Sequence, residues 1–421
     1  MGKVTSLESG PIDQLPERPI LEHFLSVCYY ASLLREEDRP VRFRIILREP
    51  EQFPPENGPP SGSHRLVFTK PLLFNEEELR RLFPSADFQR SLIGVRLDAD
   101  AKLQIWGLVH PGSRWINDFY GGRHAFSPLP ASLVVSVTDP GRIVISRGAV
   151  TMATLNGREI ICPSREIFDT EWFPKCFATT RAELWTLHLA DSQRAGNLWT
   201  RLDPDIVRRI AQQVDRRVIS TIRNSRHGGT LVFLPVERAN AFLSDNLYMT
   251  MRYQFIAEEP RNRFRTLIVA LLNALAQEFG SNQSPDHLVG WDEYVTSKSE
   301  TLSLLEEGIM EVAHLIAGLA AMDGAVVLTN KYELLGCGAE IACESEKIAT
   351  VLRAVDADAT QTVPITTDHF GARHRSAYRL CSAFHDVIAI VISQDRTVRL
   401  VKWHDGAVTY WDQVATSVLD F

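Results

Sequence analysis

The chain is short of several features that would announce a function. Its six cysteines are Cys28, Cys162, Cys176, Cys337, Cys343 and Cys381. None forms a C-x-x-C pair or stands beside histidines at zinc spacing, which argues against a metal-thiolate site. The strongest apolar run, Leu267 to Ala276, is interrupted by Asn273 and falls short of the roughly 20 residues a bilayer span needs. The opening MGKVTSLESGPIDQLPERP lacks the apolar core of a signal peptide, and together with unpaired-looking cysteines this favours a soluble protein of the reducing cytoplasm. Positive charge is not in excess: 45 Lys and Arg against 52 Asp and Glu leave a formal charge of -7. No global basic field recruits nucleic acid or an anionic membrane, so an anionic ligand has to meet a local basic site. There is neither a G-x-S-x-G elbow nor a Walker A lysine, and Gly228-Gly229 precedes a strand-like run instead of opening a helix. Those absences argue against a hydrolase elbow, a phosphate loop and a dinucleotide fingerprint.

What is present is a chain of 421 residues, 45% hydrophobic and 23% charged, the balance of an ordinary folded protein of two or three domains. Residues 1–177 read as a β-rich α+β domain. A helix over Leu21 to Arg35 is followed by the loop REPEQFPPENGPPSGSH. Period-two segments come next at Arg65–Thr69, Leu92–Leu97, Leu103–Val109, Leu133–Val137 and Arg142–Ser146, punctuated by Asp-Pro-Gly and Asn-Gly turns. Residues 178–202 read as a connector, helical in part. From 203 to 421 the pattern alternates. Asp203-Pro204 starts a helix with Ile206, Ile210, Val214, Val218 and Ile222 on one face, and Gly228 to Pro235 is a short apolar strand. A helical insertion at about 236–303 includes a helix over Phe264 to Phe279. Then come a helix at Leu304–Met322, strands at Ala325–Thr329 and Glu333–Ala342, a helix at Arg373–Phe384, and strands at Val387–Ile392 and Thr397–Trp403. This alternation predicts an α/β fold with a central, mostly mixed β-sheet flanked by helices.

Two segments about fifty residues apart carry chemistry. Asp323-Gly324-Ala325 lies at a helix-to-strand junction, where glycine lets backbone approach a ligand and a carboxylate can hold a metal or accept a hydroxyl proton. Asp-Gly alone is a common turn. Gly371-Ala372-Arg373-His374-Arg375 opens a helix, so two guanidiniums and an imidazole stand beside free N–H groups at the positive end of a helix dipole, a local site for phosphates or a solvated basic helix start.

Together and in this order, the two segments resemble the Asp-Gly-Ala and Gly-Thr-Arg-His-Arg motifs of the diadenylate cyclase family. The likeness extends to GGTLVFLP, to LIAGLAAMDGAVVLT and to SAYRLCSAFHDVIAIVISQDRTVRLV, covering about residues 202–411. Membership implies condensation of two ATP into cyclic di-AMP with release of two pyrophosphates, assisted by Mg or Mn, in a homo-oligomer that sets two sites face to face. By resemblance, Asp323 activates the 3'-hydroxyl directly or through metal, and Arg373, His374 and Arg375 hold the phosphates. Gly324, Ala325, Leu335, Cys337, Ala339, Gly371, Ala372 and Ser393 lie along the nucleotide, with Leu335 to Ala339 at the adenine, and Asp395 is a second metal ligand. The chain departs from the family at Ala372, which replaces threonine, at Ser393-Gln394-Asp395, where Ser-Glu-Glu is usual, and at Ala383 after Ser382, where Ser-Glu is often found. These losses keep open a nucleotide-binding sensor that turns over weakly or not at all, and a cyclase making a different cyclic dinucleotide. Ahead of this domain, GSRWINDFYGGRH and PLPASLVVSVTDPGRIVIS resemble the sensor domain that precedes some bacterial diadenylate cyclase domains. Arg114, Trp115, Arg123 and His124 would suit a small-molecule ligand of unknown identity, or a packed Trp with surface arginines.

Overall fold

The computed structural model describes residues 15–53, 63–111, 130–148, 150–157, 159–161, 167–196, 199–225, 227–244, 246–280, 288–343, 348–394 and 397–412. The chain divides into two compact units, the first essentially residues 1–163 and the second 164–416. Among the described residues, no helix is long and apolar enough to cross a membrane.

The first unit begins with α1 (Arg18–Ser32), which is followed by the two-residue strands β1 (Arg35–Glu36) and β2 (Arg39–Pro40). Its sheet is built from β3 (Phe43–Leu47), β4 (His64–Leu73), β5 (Leu92–Leu97), β6 (Leu103–His110), β7 (Leu133–Asp139), β8 (Arg142–Arg147), β9 (Val150–Asn156) and β10 (Glu159–Ile161), with α2 (Glu76–Leu82) after β4. The order is β10-β9-β8-β7-β3-β5-β6-β4; β3 and β5 run parallel and the other neighbours antiparallel. Period-two burial explains the layering. Ile45, Ile93, Val95 and Val135 pack under Phe24, Val27, Cys28 and Ala31, which recur along one side of α1. Ile46, Leu92, Val134 and Trp106 face the other way with Phe53.

In the second unit, α3 (Trp172–Lys175) and α4 (Ala178–Arg194) precede α5 (Asp205–Ser225) and β11 (Gly229–Leu234). Next come α6 (Ala239–Leu243), β12 (Met249–Gln254), α7 (Arg263–Glu278), α8 (Trp291–Thr296), α9 (Glu300–Leu319), β13 (Ala325–Thr329) and β14 (Leu334–Ile341). The chain continues through β15 (Thr350–Ala354), β16 (Thr362–Thr366), α10 (Ala372–Ala383), β17 (Ile388–Ile392), β18 (Val398–His404) and β19 (Ala407–Asp412). The strands form one mixed sheet in the order β12-β14-β13-β11-β17-β18-β19-β15-β16. In it β11 and β13 are parallel, as are β15 and β19. Both faces are covered, so the central strands are apolar throughout. Leu231 and Phe233 of β11 join α5, α7 and α9 in one core, while Val232 and Leu234 join α10 in the other. The stripe Ile206, Ile210, Val214, Val218 and Ile222, spaced four residues apart, is buried in the first of these cores. At about 1.5–3 kcal/mol per buried side chain, that stripe, more than helix propensity, holds α5 in place.

The α/β architecture with a mixed, helix-flanked sheet is the one expected, and so is the β-rich N-terminal region. Two details differ. The break between units falls after residue 163, where 177 was expected, because Phe168, Phe173, Phe177 and Leu184 all insert into the core beneath the second sheet. For the same reason the helical part of the expected connector, 178–194, is packed into the second unit. Nor is the stretch 236–303 purely helical: it contributes β12, whose alternating burial suits an edge strand paired with β14.

Candidate functional site

One end of the second sheet gathers several chain turns. Strands β11 and β13 both begin there, in register Thr230 to Ala325, and antiparallel β17 ends there, with Ile392 opposite Gly229. The start of α10 reaches the same end. In consequence the two segments separated by about fifty residues meet: Arg373 Nη2 lies 3.7 Å from Asp323 Oδ1. Asp323 is fully exposed and Arg373 about one third exposed, so the pair is open to a ligand and adds little stability itself.

Backbone geometry positions both groups. Gly324 has φ +106°, and a Cβ on it would come within 2.6 Å of the Gly338 carbonyl carbon and 2.8 Å of Ala339 N. Only glycine lets the Asp323 turn press onto β14, which itself takes φ +65° at Gly338. On the other side, Arg373 Nη1 donates to the His227 carbonyl at 3.2 Å. Gly228 makes room for this contact, since a Cβ there would sit 2.9 Å from Arg373 Nη1 and 2.6 Å from Ile392 O. His374 is nearly buried, packed against Phe370 and Tyr378, with Nε2 3.5 Å from Ser393 Oγ. Ser393 in turn accepts from Thr397 Oγ1 at 3.1 Å, and its N–H bonds Thr397 O at 2.9 Å. Gly371 is the N-cap of α10 in open space, and Ala372 is exposed at the helix start.

Other expected site residues sit differently. Arg375 Nη1 donates to the Phe370 carbonyl, securing the loop before α10. Ala325, Leu335, Cys337 and Ala339 are buried, with Leu335 and Ala339 under α10 and Cys337 in the opposite core, so any contact they make to a nucleotide has to come through backbone. Burial raises the Cys337 thiol above its ordinary value, which fits packing and not nucleophilic chemistry. Asp395 lies outside the described residues, as do Arg114, Trp115, Arg123 and His124. Sequence reasoning missed His227 and Thr397, and gave Gly228 and Gly338 no role of their own. The glycine pair before β11 and the Gly336-x-Gly338 spacing were the available signals for close backbone approach.

Among the described residues there is no group of three or more His, Cys, Asp or Glu able to hold a metal. Asp323, exposed at this sheet end, is a hard oxygen donor. That matches a magnesium-type ion shared with substrate phosphates, which commonly uses one or two protein carboxylates, and not an all-protein cage.

Fold and site together define an α/β unit with a mixed sheet that brings one carboxylate and one guanidinium to a common edge, downstream of a separate β-rich unit. Residues 10–110 of that first unit, spanning α1 to β6, match the family model described as "Probable sensor domain DACNV", a domain known from diadenylate cyclases. The match ends before the segments at 112–124 and 128–146 on which the sensor resemblance rested, and it does not reach the second unit. No curated protein matches the chain.

Proposed function

We propose that the protein is a sensor-regulated diadenylate cyclase, whose second unit condenses two ATP into cyclic di-AMP and two pyrophosphates. The observation that carries this reading is the approach of Arg373 to Asp323 at one sheet end, with Gly324 and Gly228 clearing the backbone around them. The sensor match at 10–110 supports the same context.

In this scheme Arg373, fixed by the His227 carbonyl, directs its remaining donors to the triphosphate and offsets charge building on the α-phosphate and departing pyrophosphate. The Asp323 carboxylate orients the 3'-hydroxyl of the nucleotide and takes up its proton as the oxygen attacks the α-phosphorus of the facing ATP. The bond from that phosphorus to the bridging oxygen breaks, and pyrophosphate leaves. Repetition in the reverse sense closes the ring, so two copies of the site have to face each other in a homo-oligomer. A Mg or Mn ion held by Asp323 and the phosphates would supply Lewis-acid charge neutralisation. His374, held between Phe370 and Ser393, positions the helix start and offers its edge to a phosphate oxygen.

The test is to incubate purified chain with ATP and either metal and look for cyclic di-AMP by mass spectrometry, with Asp323→Asn as control. Nucleotide binding without product supports the second reading, a nucleotide-binding sensor, which the missing threonine at Ala372 favours. A different cyclic dinucleotide from a mixed nucleotide pool points to altered base selection.

A further inference from the structure

The first unit contains a pocket of about 230 Å³ at the sheet end where the parallel strands β3 and β5 finish and β7 begins. Leu47, Leu97 and Leu133 form its apolar wall, and Arg48, Arg96 and Glu49 supply its charge. By comparison with an apolar cavity of ~150 Å³ that accepts benzene, this volume holds roughly nine non-hydrogen atoms. Arg48 is pinned: its N–H extends the ladder to Val95 O at 2.9 Å, its carbonyl accepts from Trp106 Nε1 at 2.8 Å, and Nη1 donates to Ser132 Oγ at 3.1 Å. Burial raises the neighbouring Glu49 carboxyl, and the Arg96 charge draws it partly back down. The pocket thus sets two guanidiniums against one carboxylate, an excess of positive charge that an anionic ligand answers.

We propose that this pocket is the ligand site of the N-terminal unit and that it takes a small monoanionic organic acid, a carboxylate carrying a short aliphatic chain. Arg96 receives the carboxylate, which answers the net single positive charge of Arg48, Arg96 and Glu49. The three leucines take the aliphatic body. Concave, mainly apolar walls with a few fixed polar groups are the general form of small-molecule sites. The inference stands on the geometry of the first unit and is independent of whether the second unit makes cyclic di-AMP.

The experiment uses the full chain with hexanoate, its neutral isostere hexanamide, and inorganic phosphate, read by isothermal titration calorimetry without nucleotide. Hexanoate is expected to bind with hexanamide at least tenfold weaker, and Arg96→Gln, checked for an unchanged far-UV spectrum, should weaken hexanoate at least tenfold. Leu97→Phe, which fills the pocket from its apolar side, should weaken it as well and keeps the test decisive if the arginine variant does not fold. The proposal is overturned if hexanoate does not bind at millimolar concentration, if hexanamide or Arg96→Gln binds equally well, or if phosphate binds more tightly than hexanoate.

Discussion

Asp215 offers the sharpest quantitative test of the second unit. It lies on α5, 5% exposed, and its Oδ1 accepts from Tyr332 Oη at 2.7 Å. Tyr332 is itself buried among Phe177, Phe233 and Phe264 in the turn after β13. Burial pushes the Asp215 carboxyl from an ordinary 3.8 to about 7, outweighing the Tyr332 hydrogen bond and the nearby Arg216 charge that pull the other way. The folded state therefore keeps this proton up to about pH 7, whereas the unfolded chain releases it near 3.8. Between those values the folded state binds more protons, so stability falls as pH rises from about 4 to 7 and then levels off. With one pKa unit equal to about 1.36 kcal/mol, the whole penalty approaches ~4 kcal/mol above pH 7. Asp215→Asn removes the charge but keeps an oxygen for the Tyr332 hydroxyl. At pH 8 the variant should gain stability up to that ceiling, reduced by whatever its amide N–H groups fail to bond, and near pH 4 it should match the parent within about 1 kcal/mol. Urea unfolding of the full chain from pH 4 to 8 measures this. A variant less stable than the parent at pH 8, with the same pH slope, would refute the assignment of a buried, proton-holding carboxyl.

Three further outcomes are expected. Asp323→Asn should cut cyclic dinucleotide formation by about 100-fold or more while leaving the melting temperature unchanged, because its carboxylate is fully exposed and its ion pair at 3.7 Å is a surface one; equal turnover by the variant removes Asp323 from the chemistry. Gly324→Ala forces a Cβ toward Gly338 at a φ of +106°, so it should cost roughly 1–3 kcal/mol in unfolding experiments and also abolish turnover by displacing Asp323. Ala372→Thr places a hydroxyl at the exposed start of α10 and should raise turnover up to about tenfold, the worth of one hydrogen bond to phosphate; steady-state pyrophosphate release reads it.

Much of the scaffold was legible in the linear chain because burial imposes a period. The stripe from Ile206 to Ile222, spaced four residues apart, requires a helix with one covered face. The unbroken apolar runs at Gly229–Leu234 and Ala325–Thr329 require strands covered on both sides. The short strands β12, β15 and β16, at or next to the sheet edges, escaped notice because most of their residues are exposed and carry little apolar signal. The pairing of Asp-Gly-Ala with Arg-His-Arg could be named from residue order, but their meeting is a consequence of sheet order: β11 between β13 and β17 is what carries Asp323, Gly228 and Ser393 to one end. Likewise, only the tertiary structure decided that Arg373 faces Asp323 while Arg375, two residues on, bonds its own loop. Residue type sets which charges exist, and helix phase against a packed neighbour decides where each one points.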